Sequence, residues 1–186
     1  MERLKPLVPT HPSSAKWALK VLFVGDEGAG KTDLMCSISD GVYIDGFRTK
    51  LGSSFGTKRF HLDPDRVQLQ IWNLTHAERF KELRQKLYRG GAAVIYVFSL
   101  SDRSSFDNIP NWVEEVRQVI GNVPAILVGT RRETRKRRKV TKYEAKELAK
   151  HLKAPYFEVG MESDPLFEQA LQNLVTDILK ESLSNM

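Results

Sequence analysis

The chain has 186 residues, of which 41% are hydrophobic and 28% charged, and its formal net charge is +6 at pH 7. This length supports one well-buried core and is short for two, so we expect one main domain. No apolar run approaches the roughly 20 residues that span a bilayer, which excludes a transmembrane helix. Residues 1–17 contain prolines and serines and no apolar stretch, so we expect a flexible N-terminal extension there and no secretory signal.

The first predicted strand, residues 18–24, is apolar on both faces, as a strand covered on both sides is. Residues 25–32 then read GDEGAGKT, the P-loop pattern G-x-x-x-x-G-K-[ST], and residues 33–39 can form the helix that must follow. Glycines here turn backbone N–H groups toward one centre, and the helix start adds a positive dipole end. Against the alternative of a glycine-rich turn without a ligand, we predict a phosphate site formed by Glu27, Gly28, Ala29, Gly30, Lys31 and Thr32.

In that site we expect Lys31 to reach the outer phosphates and the Thr32 hydroxyl to ligate Mg²⁺. Cys36, the only cysteine, falls in the helical segment after the loop. We expect a buried, reduced thiol there and hence a cytoplasmic protein.

Residues 41–52 contain three glycines and show no clear period, so we expect a long functional loop. Two runs, 54–62 and 67–72, flank a cluster of turn residues, which predicts a hairpin. A polar helix is predicted over 78–88. The uncharged run 92–98 predicts a central strand covered on both faces.

Two helix signals stand out in the second half of the chain. Apolar positions predict a helix over 105–119, whose first turn Pro110 makes less regular. Thr141 and Glu144 form a capping-box pattern that opens a helix to residue 152. The remaining predicted elements are strands at 123–128 and 156–159 and a helix that begins with Asp164 as cap and Pro165.

Strands that alternate with helices predict an α/β fold, a mostly parallel six-stranded sheet with helices on both faces and one antiparallel hairpin at its edge. In such sheets, ligands bind at the carboxyl ends of the strands. The loops after residues 24, 72, 128 and 159 emerge at that edge, so we expect the chemistry in those loops.

A run of arginines and lysines occupies much of residues 131–139. Such a run fits a nucleic-acid site, an anionic-lipid site or simply a solvated loop. No aromatic residue lies among the basic ones, which argues against nucleic acid. A weak contact with an anionic membrane stays open, because one basic loop alone binds weakly.

Over residues 18–182 the chain resembles small GTPases of the Ras superfamily, the Rab and Rho members most. Beyond the P-loop, the resemblance depends on the motifs Leu69-Gln70-Ile71-Trp72, Glu78-Arg79-Phe80, Tyr88-Arg89-Gly90, Asp102-Arg103-Ser104-Ser105-Phe106, Trp112, Val123-Pro124, Leu127-Val128-Gly129 and Tyr156-Phe157-Glu158-Val159. It implies a P-loop NTPase with a Ras-like G domain and a short tail at 183–186. It also implies bound GDP or GTP with Mg²⁺, and effector or regulator proteins that bind through residues 41–56 and 73–88.

The switch motifs depart from the family pattern. The family's D-x-x-G corresponds to Asn73-Leu74-Thr75-His76, so Asn73 is expected to face Mg²⁺ through water without a negative charge. The water-positioning glutamine corresponds to Ala77, so no catalytic residue is assigned. The metal-binding threonine of the family aligns with Lys50, which leaves Thr49 as the candidate ligand. The Glu27 carboxylate is expected to repel the outer phosphate unless it turns to solvent.

The resemblance also implies a guanine site. The family's N-K-x-D corresponds to Thr130-Arg131-Arg132-Glu133, and its S-A-K to Gly160-Met161-Glu162. The base is therefore expected to contact Thr130, Arg131, Glu133 and Met161. The alternative is that Glu133 is only a surface acid in a basic loop.

Three hypotheses follow for function. The first is a small GTP-binding protein with weak intrinsic hydrolysis that acts through partners. The second is a pseudo-GTPase scaffold with little or no nucleotide binding, and the third is an ATPase or small-molecule kinase. Residues 181–186 include no cysteine, so no lipid anchor is expected, and membrane association would come through partners.

Overall fold

The central strand of the sheet is built from an uncharged run in which every residue is buried, Ala93–Ser99. β-branched and aromatic side chains at this density favour a strand that is covered on both faces. The computed structural model describes residues 4–6, 17–40, 43–44, 53–131, 137–160 and 164–184. Within these ranges, strands and helices alternate along most of the chain, as the sequence predicts.

The strands are β1 (Leu4–Pro6), β2 (Trp17–Val24), β3 (Tyr43–Ile44), β4 (Ser54–Leu62), β5 (Asp65–Asn73), β6 (Ala93–Ser99), β7 (Ala125–Thr130) and β8 (Tyr156–Val159). The α-helices are α1 (Lys31–Ile38), α2 (Lys81–Tyr88), α3 (Arg103–Asp107), α4 (Ile109–Ile120), α5 (Lys142–Leu152) and α6 (Pro165–Ser184), and a 3₁₀ helix spans Glu78–Phe80.

The described strands form one sheet in the order β3-β4-β5-β2-β6-β7-β8, and β1 pairs with β2 outside that path. β2 lies parallel to both β5 and β6, and β6, β7 and β8 are parallel neighbours. β4 and β5 form the antiparallel hairpin at the edge. The predicted six-stranded, mostly parallel sheet is therefore confirmed, with two short strands, β1 and β3, added to it.

Helices cover both faces of the sheet, as predicted. One core layer packs α1 and α6 against the sheet, with Met35, Phe167 and Leu171 fully buried. The other packs α2, α3, α4 and α5, with Tyr88 and Val116 fully buried. Both layers hold the strand ends in place, so the loops at the carboxyl edge are carried by a rigid base.

The helix predicted over 105–119 is divided in two. α3 ends at Asp107, and α4 begins at Ile109 with Pro110 in its first turn. The sequence predicted only a less regular first turn; Pro110 has no backbone N–H and cannot continue a preceding helix, which explains the full break. The capping box is confirmed, since Thr141 Oγ1 accepts from the Glu144 amide and the Glu144 carboxylate accepts from the Thr141 amide.

The expectation of a buried thiol at Cys36 was wrong, because Cys36 is exposed. The buried positions of α1 are Lys31, Leu34, Met35 and Ile38, which share one helix face at the usual spacing of three and four residues. Cys36 lies outside that face. A second finding concerns the N-terminal extension, where Leu4–Pro6 forms a strand antiparallel to β2.

Candidate functional site

Residues 25–32, which match the P-loop pattern and are named the phosphate loop after that prediction, connect β2 to α1 at the carboxyl edge of the sheet. Gly25 approaches β6 so closely that a Cβ atom would lie 2.1 Å from the Val97 carbonyl oxygen. Gly30 has φ +88, and a Cβ there would lie 2.9 Å from Thr130 Oγ1. Positive φ and tight neighbours favour glycine at both positions. The glycines therefore allow the backbone to turn sharply before the first turn of α1.

Lys31 is the first residue of α1 and is buried. Its Nζ donates hydrogen bonds of 2.7 Å to the carbonyl oxygens of Gly25 and Asp26. The ammonium group thus lies within the curve of the phosphate loop. Burial lowers the Lys31 pKa to about 8, although the nearby Asp26 and Glu27 carboxylates act in the opposite direction. Most Lys31 side chains still carry a charge at neutral pH.

Thr32 and Asn73 come together although they are far apart in the chain. Asn73 Nδ2 donates to Thr32 Oγ1 at 2.9 Å, and the Leu74 amide donates to the Phe23 carbonyl at 3.1 Å. The two residues predicted to face Mg²⁺ are therefore adjacent. No group of three or more His, Cys, Asp or Glu side chains suited to a metal occurs among the described residues. A cation bound here would be coordinated by neutral protein oxygens and by the phosphate oxygens of a bound nucleotide.

The Glu27 carboxylate turns toward the loop after β5, where His76 Nε2 lies 3.1 Å from it. We name this segment, residues 74–77, the β5–α2 loop. The Glu27 and His76 side chains are 78% and 37% exposed, so the contact is a surface one. It nevertheless joins the phosphate loop to the β5–α2 loop.

Arg84 holds the β5–α2 loop by hydrogen bonds to its backbone. The residue is only 1% exposed, and its guanidinium donates to the carbonyl oxygens of Thr75 and Ala77 at 3.0 and 3.3 Å. It also forms two hydrogen bonds with the Glu115 carboxylate at 2.8 and 2.9 Å, and the Tyr88 hydroxyl donates to the same carboxylate at 2.7 Å. Burial acts to raise the Glu115 pKa, but the hydrogen bonds from Arg84 and Tyr88 outweigh it, so the pKa is lowered.

Asp26 connects the phosphate loop to α4. Its Oδ1 accepts hydrogen bonds from Trp112 Nε1 at 2.7 Å and from Asn108 Nδ2 at 2.6 Å. The Arg84 guanidinium lies over the Trp112 ring at 4.8 Å. A cleft of about 490 Å³ between the phosphate loop, the β5–α2 loop and α4 is lined by these groups. Trp112 and Arg84 thus link both loops to α4.

The predicted base site is only partly described. Thr130 is buried, and its hydroxyl donates to the Ala29 carbonyl at 2.6 Å. The structure thereby joins β7 to the phosphate loop. The exposed Arg131 follows Thr130, and its amide donates to the Val159 carbonyl. Glu133 and Met161, and the predicted metal ligand Thr49, lie outside the described residues, so their roles stay predictions.

The basic run 131–139 is described only at its two ends. The Arg138 guanidinium pairs with the Glu158 carboxylate on β8, with Nη1 to Oε2 at 3.1 Å. Arg138 also donates to the Val140 carbonyl at 2.6 Å. The charge of Arg138 is therefore used within the fold, while Arg137 and Lys139 are exposed.

Several residues that shape the site were not predicted from the sequence. Arg84 could have been found, because it lies one turn before Tyr88 on α2 and so shares its buried face. Asp26 occupies a variable position of the P-loop pattern, and nothing near it in the sequence indicates its bond to Trp112. The Glu27 contact with His76 likewise depends on two distant loops meeting.

Comparisons with known proteins agree with this architecture. The model of the Ras family matches residues 20–180. The GTP-binding protein ypt1 of Schizosaccharomyces pombe is 31% identical over 170 residues, which cover 91% of this chain and 83% of the relative. Ras-related protein Rab-13 of Mesocricetus auratus is 30% identical over 164 residues, covering 88% of this chain and 81% of the relative. The part of the chain that the structure describes contains no helix with the length and hydrophobicity of a membrane span.

Proposed function

The chain belongs to the Ras family of small GTP-binding proteins, and from that membership we propose that it binds GDP and GTP with Mg²⁺ and acts by binding partner proteins. The observation that carries the proposal is the phosphate loop. Gly30 turns the chain at positive φ, Lys31 begins α1, and its Nζ lies inside the curve of the loop. The first amides of a helix have no partner within the helix and suit an anion.

These residues fit a nucleoside phosphate bound with a divalent cation. Lys31 would exchange its bonds to the Gly25 and Asp26 carbonyls for bonds to phosphate oxygens, which are stronger acceptors. Thr32, with Asn73 acting through water, would hold Mg²⁺, as Thr49 would if its loop brings it close. The cation would neutralise part of the phosphate charge. Among the described residues, Thr130 supports the loop from the side predicted to hold the base.

Hydrolysis in this proposal is weak, because no described side chain near the β5–α2 loop replaces the usual glutamine. Ala77 has only a methyl group, and its carbonyl accepts from Arg84. His76 is engaged with Glu27, and Asn73 brings no negative charge to the cation. The protein would therefore depend on an activating partner or hold GTP for a long time.

Partner binding is proposed through residues 41–56 and 73–88, which flank the phosphate site. In the described part of this surface, Ile44 is exposed, and the Phe55 ring meets the ring of the adjoining Trp72 edge to face with centroids 5.2 Å apart. An apolar surface beside the nucleotide suits a protein effector or regulator. In this proposal, the protein is cytoplasmic and associates with membranes through such partners.

A specific observation also favours the second candidate, a scaffold that does not switch. Three groups expected to face phosphate or metal are bonded to protein atoms: Lys31 to two carbonyls, Thr32 to Asn73, and Glu27 to His76. Of these contacts, those of Lys31 stay within the phosphate loop, that of Thr32 reaches the end of β5, and that of Glu27 joins the phosphate loop to the β5–α2 loop. A protein that keeps them has a fixed surface.

Nucleotide analysis separates the two candidates. The purified protein is denatured, and the supernatant is run on anion exchange beside GDP and GTP standards. Recovered GDP or GTP supports the proposal. An empty protein that also fails to take up added GDP with Mg²⁺ supports the scaffold.

Two substitutions test the assigned groups directly. Lys31→Ala and Thr32→Asn each remove a proposed contact to phosphate or metal, so fluorescent GDP should bind far more weakly. Lys146→Ala removes an exposed lysine of α5 and should leave the affinity unchanged. Far-UV circular dichroism on the same samples checks the fold. Equal affinity of all three variants would remove the phosphate loop from the proposed site.

A further inference from the structure

A second cavity lies between α4 and α5, away from the phosphate loop. Its volume is about 350 Å³, and its floor includes the segment 121–125 that leads into β7. Because β7 runs parallel to β2, this segment is at the amino edge of the sheet, opposite the loops described above. The volume falls within the roughly 300–1,000 Å³ range of small-molecule sites.

Tyr96 projects from β6 into the wall of this cavity and is 4% exposed. Among the residues that the structure describes, none forms a hydrogen bond with its hydroxyl, yet the oxygen keeps contact with solvent. The Tyr96 hydroxyl therefore offers a hydrogen-bond donor to a ligand that enters the cavity. Burial raises the Tyr96 pKa above its ordinary value, against the opposing effect of Arg117, so the hydroxyl keeps its proton.

Three exposed basic residues line the same cavity, namely Arg117 on α4 and His151 and Lys153 at the end of α5. Within the described ranges, none of them forms an ion pair with a carboxylate. His151 Nδ1 lies 2.7 Å from the Glu147 carbonyl oxygen. Since a carbonyl only accepts, Nδ1 carries a proton and Nε2 is left for another contact.

No acidic residue is among the described residues that line the cavity, and its remaining wall is largely apolar, formed in part by Val113, Val123, Pro124 and Leu152. We propose that this cavity binds a small phosphate monoester, with its phosphate on Tyr96, Arg117, His151 and Lys153 and its organic part on the apolar wall. A doubly charged phosphate matches several basic groups better than a single carboxylate does.

The basic residues have another effect, because cations at helix C-termini stabilise α4 and α5 through the helix dipoles. That effect accounts for the charges of Arg117, His151 and Lys153. It does not account for the Tyr96 hydroxyl, which belongs to a strand and has no described partner. Tyr96 therefore separates the two explanations.

The probe is phenyl phosphate, titrated into ¹⁵N-labelled protein and followed residue by residue in ¹H–¹⁵N spectra. Resolved signals are needed because the phosphate loop is itself a candidate phosphate site. Saturable shifts are expected at Gly121, Asn122, His151 and Lys153. Shifts only around Gly28 and Lys31, or none, would overturn the proposal.

Tyr96→Phe keeps the ring and removes only the hydroxyl, so it should weaken phenyl phosphate at these signals about tenfold or more. Arg117→Gln should do the same. Lys150→Gln removes a neighbouring cation of α5 that does not line the cavity and should leave the affinity unchanged. If Lys150→Gln weakened binding equally, only the general charge would matter. If Tyr96→Phe left both binding and thermal unfolding unaltered, the Tyr96 hydroxyl would have no part in binding, and the helix dipoles would explain the basic residues.

Two further arms identify the ligand chemistry. Benzoate should bind more weakly than phenyl phosphate, and equal affinity would contradict a phosphate site. Co-sedimentation with phosphatidylcholine vesicles, with and without phosphatidylinositol phosphate, distinguishes the sources. Sedimentation that requires the phosphorylated lipid and is lost in Tyr96→Phe supports the site with a lipid headgroup as ligand. Phenyl phosphate binding without sedimentation supports it with a free phosphate monoester as ligand.

Discussion

Lys31 carries its charge in a place where only 8% of the residue is exposed. Burial lowers its pKa from 10.5 to about 8, and the Asp26 and Glu27 carboxylates offset part of that effect. Between these two values the unfolded chain binds more protons than the folded protein, so stability rises as the pH increases through that window. The whole effect is about 3 kcal/mol at about 1.4 kcal/mol per pKa unit.

Lys31→Met should remove this pH dependence. Urea unfolding without added nucleotide is measured at pH 8 and at pH 10. Between these two pH values, the free energy of unfolding of the wild type should rise by about 2 kcal/mol relative to that of the variant. Groups that titrate equally in both proteins cancel in this comparison. Lys150→Met, an exposed lysine, should show no such gain, and a constant difference for Lys31→Met would contradict a buried ammonium group.

Hydrolysis tests the β5–α2 loop at single residues. We expect preloaded GTP to be hydrolysed at or below about 10⁻⁴ per second, the slow unaided rate of the family. Ala77→Gln alone should change this little, because His76 is engaged with Glu27 and residues that act as a unit are not additive. Single-turnover phosphate release measures both proteins. A much faster hydrolysis rate of the wild-type protein would mean that another group, such as His76, positions the attacking water.

At the scale of elements, the Arg84 and Glu115 pair joins α2 to α4 and carries the β5–α2 loop. Glu115→Ala would leave a buried guanidinium without its carboxylate, so we expect it to lower the free energy of unfolding by about 3 kcal/mol. Asp107→Ala removes a carboxylate from the exposed Arg103 pair and should cost less than about 1 kcal/mol. Chemical denaturation near neutral pH compares the two.

Acid gives the same pair a second readout. The Glu115 pKa is lowered in the folded protein, so its stabilising effect is present above the unfolded pKa and disappears as the pH falls through the folded one. Wild type and Glu115→Ala should therefore approach each other in acid. A difference that stays constant down to acid unfolding would mean that the loss at neutral pH comes from packing alone.

The whole molecule should respond to guanine nucleotide by mass action. At a GDP concentration one hundred times its Kd, binding adds about 2.7 kcal/mol to the free energy of unfolding, which raises Tm by about 5 to 10 °C in a chain of this size. ATP should raise Tm less than GDP does, because the Glu133 carboxylate, which is expected to contact the base, matches the hydrogen-bond donors of guanine and not those of adenine. Differential scanning fluorimetry with Mg²⁺ measures both. Equal shifts would contradict the base site, and no shift with either would favour the scaffold.

Elements were predictable where one local signal dominates. The uncharged run located β6, the period of apolar residues located α4, and the capping box located the start of α5, because each signal depends on residues close together in the chain. Cys36 shows where such reasoning fails. Its segment is apolar overall, but the buried face depends on how α1 is rotated against the sheet.

The candidate site divides in the same way. The conformation of residues 25–32 could be predicted because its glycines and Lys31 act through their own backbone and the adjoining helix. The bonds from Asn73 to Thr32 and from Trp112 to Asp26 join residues whose distance is set by the whole sheet. No local pattern encodes those contacts.

The indole of Trp112 makes the phosphate loop optically visible. The protein has three tryptophans, and Trp112 bonds to Asp26 of that loop while Trp17 bonds to Asp65 at the far hairpin. The emission wavelength and intensity of an indole change with the charges and dipoles around the ring. In a Trp17→Phe, Trp72→Phe background, intrinsic fluorescence would therefore follow any rearrangement of the loop in real time and without a dye.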